Sequence, residues 1–529
     1  MLMPQRGSVP SRAAAGGRPG TALLAWLLLA AAVGAQPALE SQGPVRLRTS
    51  PAVIGGVLQF SLEGAPGSPY VVALDFAPGA VSVPGLGLVH LALTPNFLMP
   101  LNSLLNAPPI PASGVLNLPI PILGTDGTLA YVQSAVAGAG SPSLTNAKSL
   151  QWSLPDSYHS TFSSMTQPRA FHRSVPLSNG SVLIVGGGSG AFLTPVATAQ
   201  CDRYNPYTRL FAADAPMGTP RTLHTATLLL DGRVLVTGGS LTLGVGINNT
   251  ELYDPALMQW TSGPNMSITR IAHTATRLPD GRVLLAGGTS TFNIPVGSTN
   301  YLPIFQGSLA SAEIYDPSTG LIAPTGNLMS QARMAHAAVS LADGRVLLCG
   351  GIRGGQTVFG VGAPLYAQTA DIFDPATNLF TSVTGPTIPR VTHTADLLPD
   401  GRVLMIGGAG GTLVATLSTS EIWDPSNQSW SAGPALSQGT LALHTTTALP
   451  DGSLYVGGGA IGAVGSFQAV ADAYRYSTTG GLVPLQGLPV ALQALTSLWT
   501  DEGVLIVGGG LSGSSGSPTD AAWLWTPNL

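Results

Sequence analysis

Five arginines, Arg169, Arg221, Arg270, Arg333 and Arg390, each stand three residues before a histidine: His172, His224, His273, His336 and His393. His444 continues the series, and Ala494 takes its place in a seventh segment. Five guanidinium groups gathered at one mouth would form a partial cationic ring suited to carboxylates or sulfates. Six imidazoles in a ring could bind a metal ion. Repetition points the other way for both sets, because a group needed once for chemistry has no reason to recur. Inter-blade hydrogen bonding and packing is therefore the expected role of the histidines, and it competes with ligand binding for the arginines.

The elements that carry these residues follow from a phrase repeated at intervals of roughly 50 to 63 residues. Its clearest copy runs from Arg221 and His224 through Asp231-Gly232 and Val234-Leu235-Val236 to Gly238-Gly239. Asp-Gly between two β-rich runs predicts a hairpin with a type I′ turn, whose two central residues need positive φ. A third strand follows a variable loop, as in Glu251–Asp254 and Glu421–Asp424, and a fourth is anchored seven residues past its aromatic. The anchors are Trp260 and Trp430, with Phe211, Ile322, Phe380 and Val483 elsewhere. Glycine pairs close each second strand; Gly187, Gly239, Gly288, Gly351, Gly408, Gly458 and Gly509 mark them. A period of this length, four strands per repeat and seven copies predict an all-β, seven-bladed propeller. Asp254, Asp316 and Asp424, each ending a third strand, are expected to cap local turns.

The seventh copy supplies its third strand at Trp523–Pro527 and then the sequence ends at Leu529. Its fourth strand is expected from upstream, around Trp152 in Leu150–Leu154, which would close the ring and remove two open edges.

Glycine pair, aromatic, six residues and tryptophan is the pattern of the kelch repeat, and residues 148–529 resemble a kelch propeller of the bacterial secreted type. Galactose oxidases of the copper-radical type are built on a similar propeller. That resemblance implies a site of two Tyr, two His and a Cys cross-linked to one Tyr, partly supplied by a further C-terminal domain. This chain departs from it: its Tyr-His dipeptide, Tyr158-His159, precedes the first repeat, and Cys349 lies within a strand that ends in a glycine pair. No Gly-x-Ser-x-Gly elbow, His-Glu-x-x-His or Cys-x-x-Cys motif is present. Catalytic residues, cofactors and a metal site are therefore not expected.

Composition narrows the class further. Charged residues make up 9% of the 529 residues and hydrophobic ones 44%, which excludes a disordered chain. A formal net charge of −4, without runs of basic residues, argues against a nucleic-acid partner. Residues 1–35 read as a secretory signal: Arg6, Arg12 and Arg18 precede the apolar run Thr21–Val33, and Ala35 suits cleavage before Gln36. After cleavage no membrane span is expected, and the protein would be secreted or held in a bacterial periplasm or envelope. Residues 36–147 contain alternating runs such as Val57–Leu62 and Leu129–Ala135, read as a small antiparallel β-sandwich ahead of the propeller at 148–529. Cys201 and Cys349 fall in blades one and four, too far apart for a disulfide, which needs Cα atoms within roughly 7 Å.

Long irregular loops in blades three and four carry Phe292, Tyr301, Phe305, Arg353, Phe359 and Tyr366. Loops of that kind on a rigid scaffold are where binding usually resides. The expectation is an exported, non-enzymatic protein that binds a protein or glycan through this face, with Tyr301, Phe305, Arg353, Tyr366 and the five arginines as candidate contacts. A copper-radical oxidase or other glycan-processing enzyme is the alternative, and a structural envelope component a third. The sequence leaves the oligomeric state open.

Overall fold

The computed structural model describes the strands between residues 46 and 151 and, from 156 to 528, all but short loop segments, the longest being 292–306. Residues 1–45, and with them the expected signal, lie outside the described residues. Two units divide the chain, Met1–Thr49 with Gly56–Trp152 and Ser50–Gly55 with Ser153–Leu529. The first is antiparallel throughout. Arg46–Thr49, Val57–Glu63 and Val115–Pro121 form one sheet, and Leu129–Val136 pairs with Tyr70–Asp75, Ser143–Leu144 and Lys148–Gln151 in another. Pro78–Val83 and Gly87–Leu91 make a separate hairpin.

The second unit is a seven-bladed β-propeller with no helix among the described residues. Blade two shows the pattern: Thr225–Leu228 pairs with Val234–Thr237, which pairs with Thr250–Asp254, which pairs with Gln259–Ser262. Every second strand is buried on both faces because a blade lies against each side of it. The apolar core is accordingly a set of wedges between neighbouring blades. Leu183 and Val185 of blade one pack with Val234, Val236 and Tyr253 of blade two. Leu505, Val507 and Leu524 of blade seven pack with Val182, Ile184 and Tyr204 of blade one, so the ring is closed by the same kind of contact.

The turns between first and second strands differ from the type I′ expectation. Leu229 and Arg233 pair across a loop of Leu230, Asp231 and Gly232, with positive φ at the glycine alone, 86°. A three-residue loop ending in a left-handed glycine is the next most common hairpin connection. Asp231 Oδ1 accepts the Arg233 backbone N–H at 3.0 Å, which is the local chemistry that fixes it. Asp254, Asp316 and Asp424 cap the other turns on this face, accepting backbone N–H groups at 2.8–2.9 Å.

Strand four lies directly opposite the aromatic of strand three, pairing Tyr253 with Trp260 and Trp423 with Trp430. The indole N–H of Trp260 donates to Ala215 O at 2.8 Å and that of Trp430 to Thr384 O at 2.9 Å, so each ties its outer strand to the previous blade. Blade six differs from expectation. Its turn between Ser477 and Gly481 is one residue shorter than that between Asp254 and Gln259, which places Leu482 opposite Tyr476 and leaves Val483 half-exposed.

Closure uses a different segment from the one expected. Lys148–Gln151 is a strand of the first unit, paired with Leu129–Val132, and Trp152 lies outside the described residues. The strand that completes blade seven is Ser157–Ser160, whose Tyr158 lies opposite Trp525. The Tyr158 hydroxyl is 3.2 Å from that of Tyr455 in blade six. Both segments carry an aromatic in a short β-rich run, and only the pairing partner distinguishes them. A buried ion pair reinforces the join: Arg209 of blade one donates to Glu502 of blade seven at 2.7 Å. A chain beginning at Ser157 should keep the melting temperature of the intact propeller, whereas one beginning at Thr161 should melt well below it. Equal melting of both chains in calorimetry would contradict this closure.

Candidate functional site

Each blade's first strand starts, and its second ends, on one face of the ring, and the glycine pairs lie there. Both glycines have positive φ, 57° and 97° at Gly238 and Gly239. The amide of the second glycine donates to a carbonyl of the next blade: Gly187 to Arg221, Gly239 to Arg270, Gly288 to Arg333, Gly351 to Arg390, Gly408 to Leu441, Gly459 to Leu492, and Gly509 to Arg169. These bonds, 2.6–3.1 Å long, run once round the propeller and return to blade one. In blade six the donor is Gly459 rather than Gly458, because three glycines stand in a row there and the first, Gly457, ends the strand.

A second series of backbone bonds runs from blade to blade beside the first. Ala272, Ala335, Thr392, Leu443, Ala494 and Phe171 donate their amides to Leu223, Ala272, Ala335, Thr392, Leu443 and Ala494 respectively, at 2.9–3.3 Å. Each has positive φ, between 50° and 56°. Ala494 is thus the counterpart of Phe171 and Ala272, and Leu495 takes the histidine's place in blade seven, its Cβ against Gly509 as that of His172 is against Gly187.

The five arginines are fully buried. Arg221 donates to Gly238 O and Asn249 O within its own blade and forms an ion pair with Glu251 at 2.6 Å. Arg270 and Arg390 repeat this with Glu313 at 2.9 Å and Glu421 at 2.8 Å, and Arg169 and Arg333 with Asp202 and Asp371. Each acid also accepts backbone N–H groups, as Glu251 does from Gly218 and Thr219. As ligand contacts the arginines are ruled out in this arrangement, since their charge is neutralised and enclosed. Blades six and seven carry Leu441 and Leu492 instead, and the acid's register position holds Tyr474 and Trp523. Leu441 packs in one cluster with Tyr474, and Leu492 in one with Trp523. The Tyr474 hydroxyl even accepts the Gln438 N–H at 3.2 Å, as the acids do elsewhere. One slot is therefore filled in two ways, by an ion pair or by an apolar pair.

The histidines are inter-blade spacers. Nε2 of His273, His336, His444 and His172 lies 2.7–3.2 Å from hydroxyls of the preceding blade: Thr225 and Thr237, Thr274, Thr394, and Thr496. In each case one such hydroxyl stands one residue after the preceding blade's histidine position. Blades one and four have Arg173 and Ala337 there, and Nε2 of His224 and His393 consequently has no partner among the described residues. Burial, with nearby guanidinium groups adding to it for His172, His273 and His393, pushes these imidazoles and that of His444 down to about 3. His224 and His336 are held well below the ordinary imidazole range for the same reason. All six are neutral near pH 7.

Among the described residues, five blades extend two-stranded ribbons between strands two and three on the glycine face. Four are short, such as Ala409–Gly410 with Ala415–Thr416. The fifth, in blade four, pairs Ile352–Val358 with Val361–Tyr366. Arg353 on this ribbon is exposed, its Nε donating to Tyr366 O at 3.2 Å. Tyr366 is buried at the ribbon's base with Met334, Ile352, Val391 and Val414, and its hydroxyl donates to Gly411 O, so it is not a surface contact. Tyr301 and Phe305, with Phe292 and Phe359, lie outside the described residues.

A copper-radical site does not fit this arrangement. Cys201 and Cys349 are both free and buried, and burial pushes each thiol up to about 12. Tyr158 and His159 belong to the closing strand, where His159 Nε2 is 2.9 Å from Ser157 Oγ. Among the described residues no three His, Cys, Asp or Glu side chains are grouped as metal ligands.

Neither a protein-family model nor a curated relative matches the chain in sequence. Solved structures do match its fold. One is a fungal alcohol oxidase of the AA5 family in complex with copper, 17% identical, with a TM-score of 0.54 over 69% of this chain and 75% of that one. Another is YjhT, also 17% identical, with a TM-score of 0.46 over 62% of this chain and all of that one. The likeness is one of fold.

The ion-pair slot yields a direct test by urea denaturation. Arg221→Leu alone should destabilise by roughly 3–5 kcal/mol, because Glu251 is left buried and unpaired. Arg221→Leu combined with Glu251→Tyr, the pairing of blade six, should recover most of that loss.

Proposed function

We propose that the protein is an exported, kelch-type binding protein of bacterial origin, which uses the ribbon face of its propeller to hold a protein or glycan. The observation that carries this reading is the contrast between faces. One face has short, similar turns held by Asp–Arg pairs, whereas irregular extensions are confined to the other. The buried arginines and histidines are consumed in joining strands and blades, which leaves the ribbons, and Arg353 on the longest of them, as the groups available to a partner. Loops of variable length on a rigid scaffold suit recognition rather than a fixed chemical step.

An oxidase of the galactose oxidase type is the second reading, prompted by the AA5 neighbour. Among the described residues no group of side chains is placed to hold the copper.

The test uses the chain from Gln36 onward, screened by thermal shift against neutral and acidic polysaccharides and peptides, with and without Cu²⁺. A partner present at about 100 times its Kd should add about 2.7 kcal/mol to stability. Replacing residues 353–365 by a short Gly-Ser turn should abolish that gain and leave the propeller folded. Peroxide release from a primary alcohol in the presence of Cu²⁺ would instead carry the oxidase reading.

A further inference from the structure

Arg173 differs from every other arginine of the propeller's glycine-pair framework. It opens the innermost strand of blade one, Arg173–Pro176, an edge strand that faces the central channel and pairs only with Val182–Val185. Its Nε donates to His224 O at 2.9 Å, and among the described residues no carboxylate pairs with it. The side chain is exposed to solvent, yet protein surrounds it closely enough for burial to lower its pKa with no acid to offset the effect. Arg173 is thus a solvent-exposed cation on the ring of innermost strands, with a backbone carbonyl and no acid beside it. The position itself is informative. Five other blades place a threonine there, Thr225, Thr274, Thr394, Thr445 and Thr496, and Ala337 stands in blade four. Arginine at this level removes the hydroxyl that His224 would otherwise meet, leaving both of its ring nitrogens buried without a partner. A buried polar group without a partner loses its hydrogen bonds to water without replacement, so this arrangement opposes stability.

Two levels along the channel wall, Asp396 occupies the innermost strand of blade five. Its Oδ2 is buried without a partner, and burial pushes the carboxyl up to about 6. Neither Arg173 nor Asp396 has its pKa moved by the other, so selection among anions falls to the planar shape of the guanidinium fork.

We propose that the central channel binds a small monocarboxylate, held by the guanidinium of Arg173. A planar carboxylate matches the two terminal nitrogens of the fork and restores the missing counter-charge. This site is separate from the ribbon face and independent of its partner.

The experiment titrates the protein from Gln36 onward with sodium acetate at pH 8, at constant ionic strength with chloride, and follows the melting temperature. Acetate is expected to raise it above the chloride reference and sulfate is not. Arg173→Thr restores the hydroxyl of the other blades, so it should fold with equal or greater stability and lose the acetate response. Arg173→Lys keeps the charge without the fork and should weaken the apparent affinity roughly tenfold or more. An acetate response retained in Arg173→Thr, no acetate response in the parent protein, or a stronger response to sulfate than to acetate would each overturn the proposal.

Discussion

The propeller depends on two adjacent residues per blade having no Cβ. A methyl group on Gly238 would sit 2.4 Å from Arg270 O of the next blade, and one on Gly239 2.6 Å from Thr222 O of its own. With hydrogen in those places, the second strand of one blade reaches the entry of the next closely enough for a backbone hydrogen bond. Positive φ at both positions turns the amide toward that bond, a conformation that glycine adopts without strain. The arginine follows from the same constraint. Its guanidinium bonds the carbonyl of the first glycine, at 2.9 Å from Arg221 to Gly238, and so holds the pair in its unusual conformation. The histidine follows too, since its ring packs over the preceding blade's first glycine, with Cε1 of His273 2.9 Å from where a Cβ of Gly238 would be. Residues whose types suggested a cationic mouth and a metal-binding ring are thereby explained as parts of a repeated joint.

Such a joint leaves few charges for anything else. Five arginines are matched by acids in their own blades, four of the Asp-Gly-Arg hairpins hold their arginine on their own aspartate, and Arg209 spans the join between blades one and seven. Blades six and seven show that the ion pair is one of two fillings for the same space. A buried pair of this kind contributes little net stability over a well-packed apolar pair, because desolvation offsets the Coulombic attraction. Its loss in two blades without loss of the fold is consistent with that balance. Three arginines among the described residues have no acid partner: Arg277, which donates to Leu228 O, Arg173 in the channel and Arg353 on the blade-four ribbon.

Much of this was legible in the sequence because the repeat is local. The glycine pairs, the Asp-Gly turns and the spacing from Tyr253 to Trp260 set strand order and blade number without long-range information. The slips arose where one blade departs from its neighbours. Gly457-Gly458-Gly459 offers two readings of the pair, a shortened turn moves the anchor from Val483 to Leu482, and Leu495 holds the place assigned to Ala494. Closure by Tyr158 rather than Trp152 was not legible, because a strand that returns across the whole propeller has no local signal of register. Nor was Arg209 with Glu502, an isolated pair outside the repeat. The arginines' partners did leave a signal. An acid stands two residues before the third-strand aromatic in five blades, and it disappears in the two blades where the arginine does.

Hydrogen exchange at the glycine-pair amides reports directly on the ring of inter-blade bonds. If the bonds from Gly187, Gly239, Gly288, Gly351, Gly408, Gly459 and Gly509 form one continuous ring, these amides should exchange among the slowest in the propeller and with similar protection in every blade. Rapid exchange at several of them, while the second strands stay protected, would show that the blades are held by apolar packing alone and would contradict the account.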